Sequence, residues 1–168
     1  MDIFVFGTLR SGTLRKIVLG RDMSSDDICR ATIKDFRVYW AKEGPFPVMI
    51  PEANSETHGL VLRNLSEPDI ERLNYYELGF DYGLAPTSGE THAGQIEVSA
   101  YFCNRSDMAT TKLWSFDDWL SDHSEIQYLA AQEFLDFFGT KFGDTAQVMY
   151  NSILKRAEIF VSERFCPD

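Results

Sequence analysis

Short apolar runs separated by turn residues predict several β-strands in the first hundred positions of the chain. Residues 3–6 read Ile-Phe-Val-Phe and are followed by Gly7, a pattern typical of a buried strand that ends in a turn. Residues 95–102 alternate between apolar and polar side chains, which predicts a half-buried strand with Tyr101 on its polar face. The remaining predicted strands lie within 28–40 and over 58–65.

A helix is predicted to begin at Ser66 and to end between Glu77 and Gly79. Serine is a good capping residue, and Pro68 is tolerated in the first turn. The acidic residues that follow Ser66 suit the positive end of the helix dipole, and Gly79 suits a helix end.

Glu77 is the candidate catalytic residue on this helix. Ile70, Leu73 and Glu77 share one helical face, and the two apolar residues must face the core. Glu77 is therefore expected to point inward, where burial raises the pKa of a carboxyl and suits it to proton transfer. The alternative is an exposed glutamate in the last turn, or one paired with a buried arginine. Asp69 and Glu71 are expected on the surface.

A change of pattern after residue 105 predicts two amphipathic helices, over about 126–138 and 145–161. Residues 1–105 carry 11 basic and 15 acidic groups, whereas residues 106–168 carry 5 and 11. The apolar positions that define the two helices are Ile126, Leu129, Ala130, Phe134, Phe137, Phe138, Val148, Met149, Ile153, Ala157 and Phe160.

Composition excludes several classes of protein. The chain has 168 residues and a formal net charge of −10. Its hydrophobic fraction of 44% is inconsistent with a disordered chain. The acidic balance argues against a nucleic-acid partner and against docking on an anionic membrane. No stretch resembles a signal peptide or a membrane span, so a cytoplasmic location is expected. The scattered thiols Cys29, Cys103 and Cys166 are expected to be free, and no histidine spacing indicates a metal site.

The segment Phe6-Gly7-Thr8-Leu9-Arg10 is a second candidate for chemistry. A strand that ends at a glycine can leave several backbone amides unpaired, and such amides can converge on a carboxylate or an oxyanion. Thr8 and Arg10 could add donors. The alternative is a strand followed by an ordinary turn.

The order of these pieces resembles the γ-glutamyl cyclotransferase-like, or AIG2-like, family over residues 1–102. The family opens with a strand and a Tyr-Gly-Ser/Thr-Leu loop, matched here by Ile3–Arg10, and continues with an aromatic-Pro pair, matched by Phe46-Pro47. A strand with a glycine follows, then a helix ending in Leu-Asp-x-x-Glu, then a tyrosine. Their counterparts here are Gly59-Leu60-Val61, Leu73-Asn74-Tyr75-Tyr76-Glu77 and Tyr82.

This resemblance implies an α+β fold: a small closed mixed β-barrel over 1–105 with flanking helices, and a C-terminal helical extension over 106–168 packed on the same domain. It also implies a small γ-glutamyl substrate, no metal and no cofactor. Glu77 would be the general acid and base. The α-amine of the γ-glutamyl group would attack its own γ-carbonyl and release 5-oxoproline. The substrate-binding residues would be Phe6, Gly7, Thr8, Leu9, Arg10, Tyr82 and Tyr101.

Three departures from the family pattern leave an alternative open. Phe6 stands where the family has Tyr, Asn74 where it has Asp, and Gly83 follows Tyr82 where Arg is common. The alternative is a non-catalytic module that binds a γ-glutamyl-like ligand or a protein partner. A different acyl-transfer or hydrolytic reaction, releasing free glutamate, is a third reading.

Overall fold

The centre of the molecule is a closed β-barrel. A computed structural model describes residues 1–140 and 145–164. The barrel strands are β1 (Ile3–Val5), β2 (Ile28–Ala41), β3 (Pro47–Leu62), β4 (Tyr82–Thr91) and β5 (Gly94–Cys103). They follow the order β3-β1-β5-β4-β2, and pairing between β2 and β3 closes the ring. The β1–β5 pair is parallel and the others are antiparallel, which confirms the predicted mixed barrel.

Five α-helices surround the barrel in the described part of the chain. Helix α1 follows β1, and α2 joins β3 to β4. The bounds are α1 Gly12–Leu19, α2 Glu67–Glu77, α3 Phe116–Asp122, α4 Ser124–Leu135 and α5 Ala146–Arg164. None of the described helices is long and apolar enough to cross a membrane.

Two apolar clusters divide the core because side chains alternate along each strand. Phe4 and Ala100 belong to a cluster of strand residues inside the barrel. Their neighbours Ile3 and Val5 face the opposite way and belong to the cluster beneath the helices. Tyr101 is 5% exposed in that second cluster. The face of β5 that alternation marks as polar is therefore the face that the helices cover.

The C-terminal part differs from the expectation of a purely helical extension. Residues Ala109–Leu113 form a sixth strand, β6, which pairs with the outer edge of β2. The expected apolar faces of the two helices are partly right. Ala130, Phe134, Ile153 and Ala157 are buried, whereas Leu129, Phe137, Phe138, Val148 and Phe160 are exposed. Cys29 and Cys103 are free thiols, and Cys166 lies outside the described residues.

The prediction that Asp69, at the start of α2, lies on the surface is wrong. Asp69 is buried, and Arg21 donates to both of its oxygens, from Nε at 2.9 Å and from Nη2 at 2.6 Å. The backbone amide and hydroxyl of Ser66 also donate to this carboxylate. The hydrogen bond from Arg21 is the largest cause that lowers the pKa of Asp69 to about 2. Asp69 therefore ties the start of α2 to the end of α1, while Glu71 is exposed as expected.

Candidate active site

The loop after β1 lines a cavity and contains three backbone amides without an acceptor among the described residues. A 3₁₀ turn spans Thr8–Arg10. The amide of Arg10 donates to the Gly7 carbonyl at 3.0 Å. Within the described residues, no acceptor is found for the amides of Gly7, Thr8 or Leu9, as expected at the start of a helical turn. These three amides are available to an anion.

Close packing and one arginine fix the shape of this loop. A Cβ at position 7 would lie 2.2 Å from Cγ of Pro47, so the approach of these two segments requires glycine. On the other side, Nη1 of Arg15 donates to the carbonyls of Leu9 at 2.9 Å and Arg10 at 2.7 Å. The amides are therefore held in a preset arrangement.

Glu77 lies at the C-terminal end of α2 and points inward, as the helical spacing predicted. Glu77 is 9% exposed, and burial raises the pKa of its carboxyl to about 8. Among the residues that the structure describes, none donates a hydrogen bond to this carboxyl or forms an ion pair with it. Buried charges are normally paired, so Glu77 has the features of a group kept free for chemistry.

The amide loop and Glu77 line the same cavity, whose volume is about 430 Å³ with its open mouth included. Among the described residues that line it, Glu77 has the one carboxyl and none is basic, and the other side chains are mainly aromatic or apolar. The lining residues are Phe4, Val5, Phe6, Gly7, Thr8, Leu9, Phe46, Pro47, Tyr76, Glu77, Phe80, Tyr82 and Tyr101.

Three tyrosines in this lining surround the carboxyl. The hydroxyl of Tyr82 donates to the Pro47 carbonyl, and that of Tyr101 donates to Oδ1 of Asn74 at 2.7 Å. Burial raises the pKa of Tyr76, Tyr82 and Tyr101, and the charge of Glu77 raises all three further. All three therefore stay protonated near neutral pH, and the hydroxyls of Tyr82 and Tyr101 have their protons engaged by Pro47 and Asn74.

Arg10 is the predicted site residue that the fold places elsewhere. Its guanidinium lies 4.5 Å from the ring centre of Phe116, in an outer groove that also includes Arg30 and His58. The turn directs the side chain at position 10 away from the cavity. Phe6, Gly7, Thr8, Leu9, Tyr82 and Tyr101 line the cavity together with Glu77.

Sequence reasoning had not assigned six of the lining residues to substrate binding. Phe46 and Pro47 had a signal, the aromatic-Pro pair, and Tyr76 lay in the tyrosine cluster beside Glu77. Phe80 follows the helix end without a distinguishing pattern, and Phe4 and Val5 read as ordinary strand residues. Within 1–140 and 145–164, no group of three or more His, Cys, Asp or Glu side chains is arranged to hold a metal ion.

Comparison with known proteins matches residues 3–121 to the family model described as gamma-glutamyl cyclotransferase, AIG2-like. AIG2-like protein B from Arabidopsis thaliana is 25% identical over 138 residues, which cover 80% of this chain and 78% of that protein.

Two solution structures of Arabidopsis thaliana proteins share the fold. One has a TM-score of 0.56 at 22% identity and covers 82% of this chain and 87% of its own. The other has a TM-score of 0.57 at 18% identity, with coverages of 83% and 84%. The family match ends before α4 and α5.

Proposed function

Since the chain belongs to the gamma-glutamyl cyclotransferase, AIG2-like family, we propose that it releases 5-oxoproline from a γ-glutamyl amine or a γ-glutamyl amino acid. The observation that carries this proposal is one cavity that holds both a buried, unpaired carboxyl at Glu77 and the free amides of Gly7–Leu9.

The amides of the loop anchor the α-carboxylate of the substrate. No cationic side chain lines the cavity in the described part of the chain, so this contact comes from uncharged donors, chiefly the backbone amides of the loop. Backbone amides that converge in a turn bind anions well. Because Gly7 and Arg15 fix the loop, the anchored substrate loses little further freedom.

Glu77 serves as the base that activates the α-amine. In the empty cavity its pKa of about 8 keeps it largely protonated at neutral pH. The bound ammonium group favours the ionised form, because an opposite charge lowers the pKa of a carboxyl. In the apolar cavity the proton can then pass from the ammonium group to the carboxylate.

The reaction that follows is intramolecular. The freed amine attacks the γ-carbonyl carbon and forms the C–N bond of a five-membered ring. Glu77 gives its proton to the leaving nitrogen as the original C–N bond breaks. The ring nitrogen then loses its extra proton to the same carboxylate, which passes it to the departing amine. Holding the two groups of one molecule together supplies much of the acceleration.

The test is release of 5-oxoproline from a panel of γ-glutamyl amines and γ-glutamyl dipeptides by the purified protein. Glu77→Gln should lower kcat/KM by about 10²–10⁴-fold. Glu71→Gln, an exposed change on the same helix, is the matched control and should leave it unchanged.

In the wild type, kcat/KM should rise with pH and reach half of its plateau near pH 8, because the free protein must ionise Glu77. A panel that yields no 5-oxoproline contradicts the proposal. Saturable binding without release would assign the cavity to ligand binding, and release of free glutamate would indicate hydrolysis.

A further inference from the structure

Helices α4 and α5 lie beyond the residues matched by the family model, yet they contact both halves of the site. The match ends at residue 121, whereas α4 begins at Ser124 and α5 at Ala146. Helices that only cover a barrel need not contact the residues around its candidate active site. α4 and α5 make such contacts at two separate points.

The first point is Tyr150 of α5, which packs under the turn that follows Glu77. Tyr150 is 1% exposed, and its ring centre lies 4.6 Å from that of Phe80 and 6.2 Å from that of Tyr76. A Cβ at Gly79 would lie 3.0 Å from Cγ of Tyr150. Tyr76, Gly79 and Phe80, which lie on either side of Glu77 in the sequence, are therefore all packed against the ring of Tyr150.

The second point is α4, which reaches the amide loop. The hydroxyls of Tyr128 and Ser11 are 2.7 Å apart, and Ser11 caps α1 immediately after the loop. Phe134 of α4 joins the two points, because its ring lies 5.2 Å from that of Tyr150. The helix pair is thus packed against the turn that follows Glu77 and against the residue that follows the amide loop.

We propose that Tyr150 is a positioning residue for Glu77, and that α5 belongs to the catalytic unit through it. The ring fixes the turn after Glu77 and excludes water from that side of the carboxyl. This role rests on the proposed cyclotransferase function. A displacement of about 1 Å at a reacting group can cost on the order of 10²-fold in rate, so a rigid support beneath the turn has a direct effect on kcat.

The surroundings of Glu77 give this role a specific signature. The titratable groups that face it are the hydroxyls of Tyr76 on α2, Tyr82 on β4, Tyr101 on β5 and Tyr150 on α5. Since burial is the cause of the raised pKa of Glu77, opening the α5 side to water should lower that pKa. Loss of global stability alone would not.

The experiment compares Tyr150→Leu with Tyr150→Phe. The leucine variant should lower kcat about tenfold or more, with KM within about twofold of the wild type. It should also move the rising limb of the pH profile of kcat/KM to lower pH by about one unit. The phenylalanine variant keeps the ring and should retain the wild-type kcat and the wild-type midpoint of that pH profile. Ile153→Ala, a cavity-forming change on the buried face of the same helix, controls for destabilisation and should leave the midpoint unmoved.

A second readout needs no turnover. In protein labelled with ¹³C at the glutamate carboxyl carbons, the signal lost in Glu77→Gln identifies Glu77, and its titration midpoint should fall in Tyr150→Leu alone. Absence of 5-oxoproline release by the wild type would refute the proposed function. An unmoved Glu77 titration in folded Tyr150→Leu, or an equal movement in Ile153→Ala, would refute the role of Tyr150.

Discussion

Replacing Glu77 with glutamine should stabilise the protein at alkaline pH while removing activity. Glutamine keeps the size of the side chain and removes the ionisable group. In the folded protein the carboxyl has a pKa of about 8, against an ordinary value of 4.5. Between these two values the folded state holds one proton that the unfolded state releases, so raising the pH favours unfolding.

The size of the effect follows from the same two values. One pKa unit corresponds to about 1.4 kcal/mol, so the full penalty is about 5 kcal/mol above pH 8. It is absent below pH 4.5, where the carboxyl is protonated in both states. This penalty is comparable with the whole stability of a small domain, about 5–15 kcal/mol. Relaxation of the cavity would reduce it.

The assay is urea unfolding of the wild type and Glu77→Gln at several pH values from 5 to 9. Other titrating groups are common to both proteins and cancel in the difference of their free energies of unfolding. That difference should shift in favour of the glutamine variant as the pH rises and level off above pH 8, whereas Glu71→Gln should show no such trend. A difference that does not vary with pH would mean that Glu77 is not buried as an unpaired carboxyl, and the argument for its role would fail.

Three further changes test the supports of the site. Gly7→Ala should cost about 1–3 kcal/mol by overpacking, because its Cβ would overlap Pro47; thermal unfolding measures this, and KM should rise as the loop shifts. Asp69→Asn should lower the free energy of unfolding by about 2 kcal/mol at pH 7, because Arg21 lowers the pKa of Asp69 in the folded protein. Urea unfolding should show this difference disappear as the pH falls from about 4 towards 2. Tyr101→Phe removes one hydrogen bond to α2 and should cost about 1 kcal/mol in thermal unfolding; no loss would mean that this bond adds nothing to the fold.

Local patterns predicted the elements that carry the site. The strand at 3–6 and the helix ending at Glu77 form where apolar spacing and capping residues indicate them. The inward direction of Glu77 followed from its place on the face of Leu73, which is fully buried. Periodicity is reliable here because each element has one face against the core.

Long-range partners explain what the sequence did not reveal. Asp69 looks like a surface residue until Arg21, 48 positions earlier, is brought beside it. Tyr101 occupies a polar face by alternation, but helices cover that face. Strand β6 forms because β2 extends past the barrel and offers an edge. Arg10 follows an amide-rich loop, yet the turn sends its side chain to another groove.

The position of β1 in the barrel determines when the site can form during synthesis. Its two neighbours are β3, paired through Phe4 and Val61, and β5, paired through Phe4 and Ala100. Both arrive much later in the chain, and contacts between distant segments are slow to form. The first strand therefore stays unpaired until the residues around Val61 are made, it gains β5 only when Ala100 is made, and Tyr150 comes later still. As the chain leaves the ribosome, the amide loop beside β1 is made before its barrel partners and acquires its final surroundings only after they have been made.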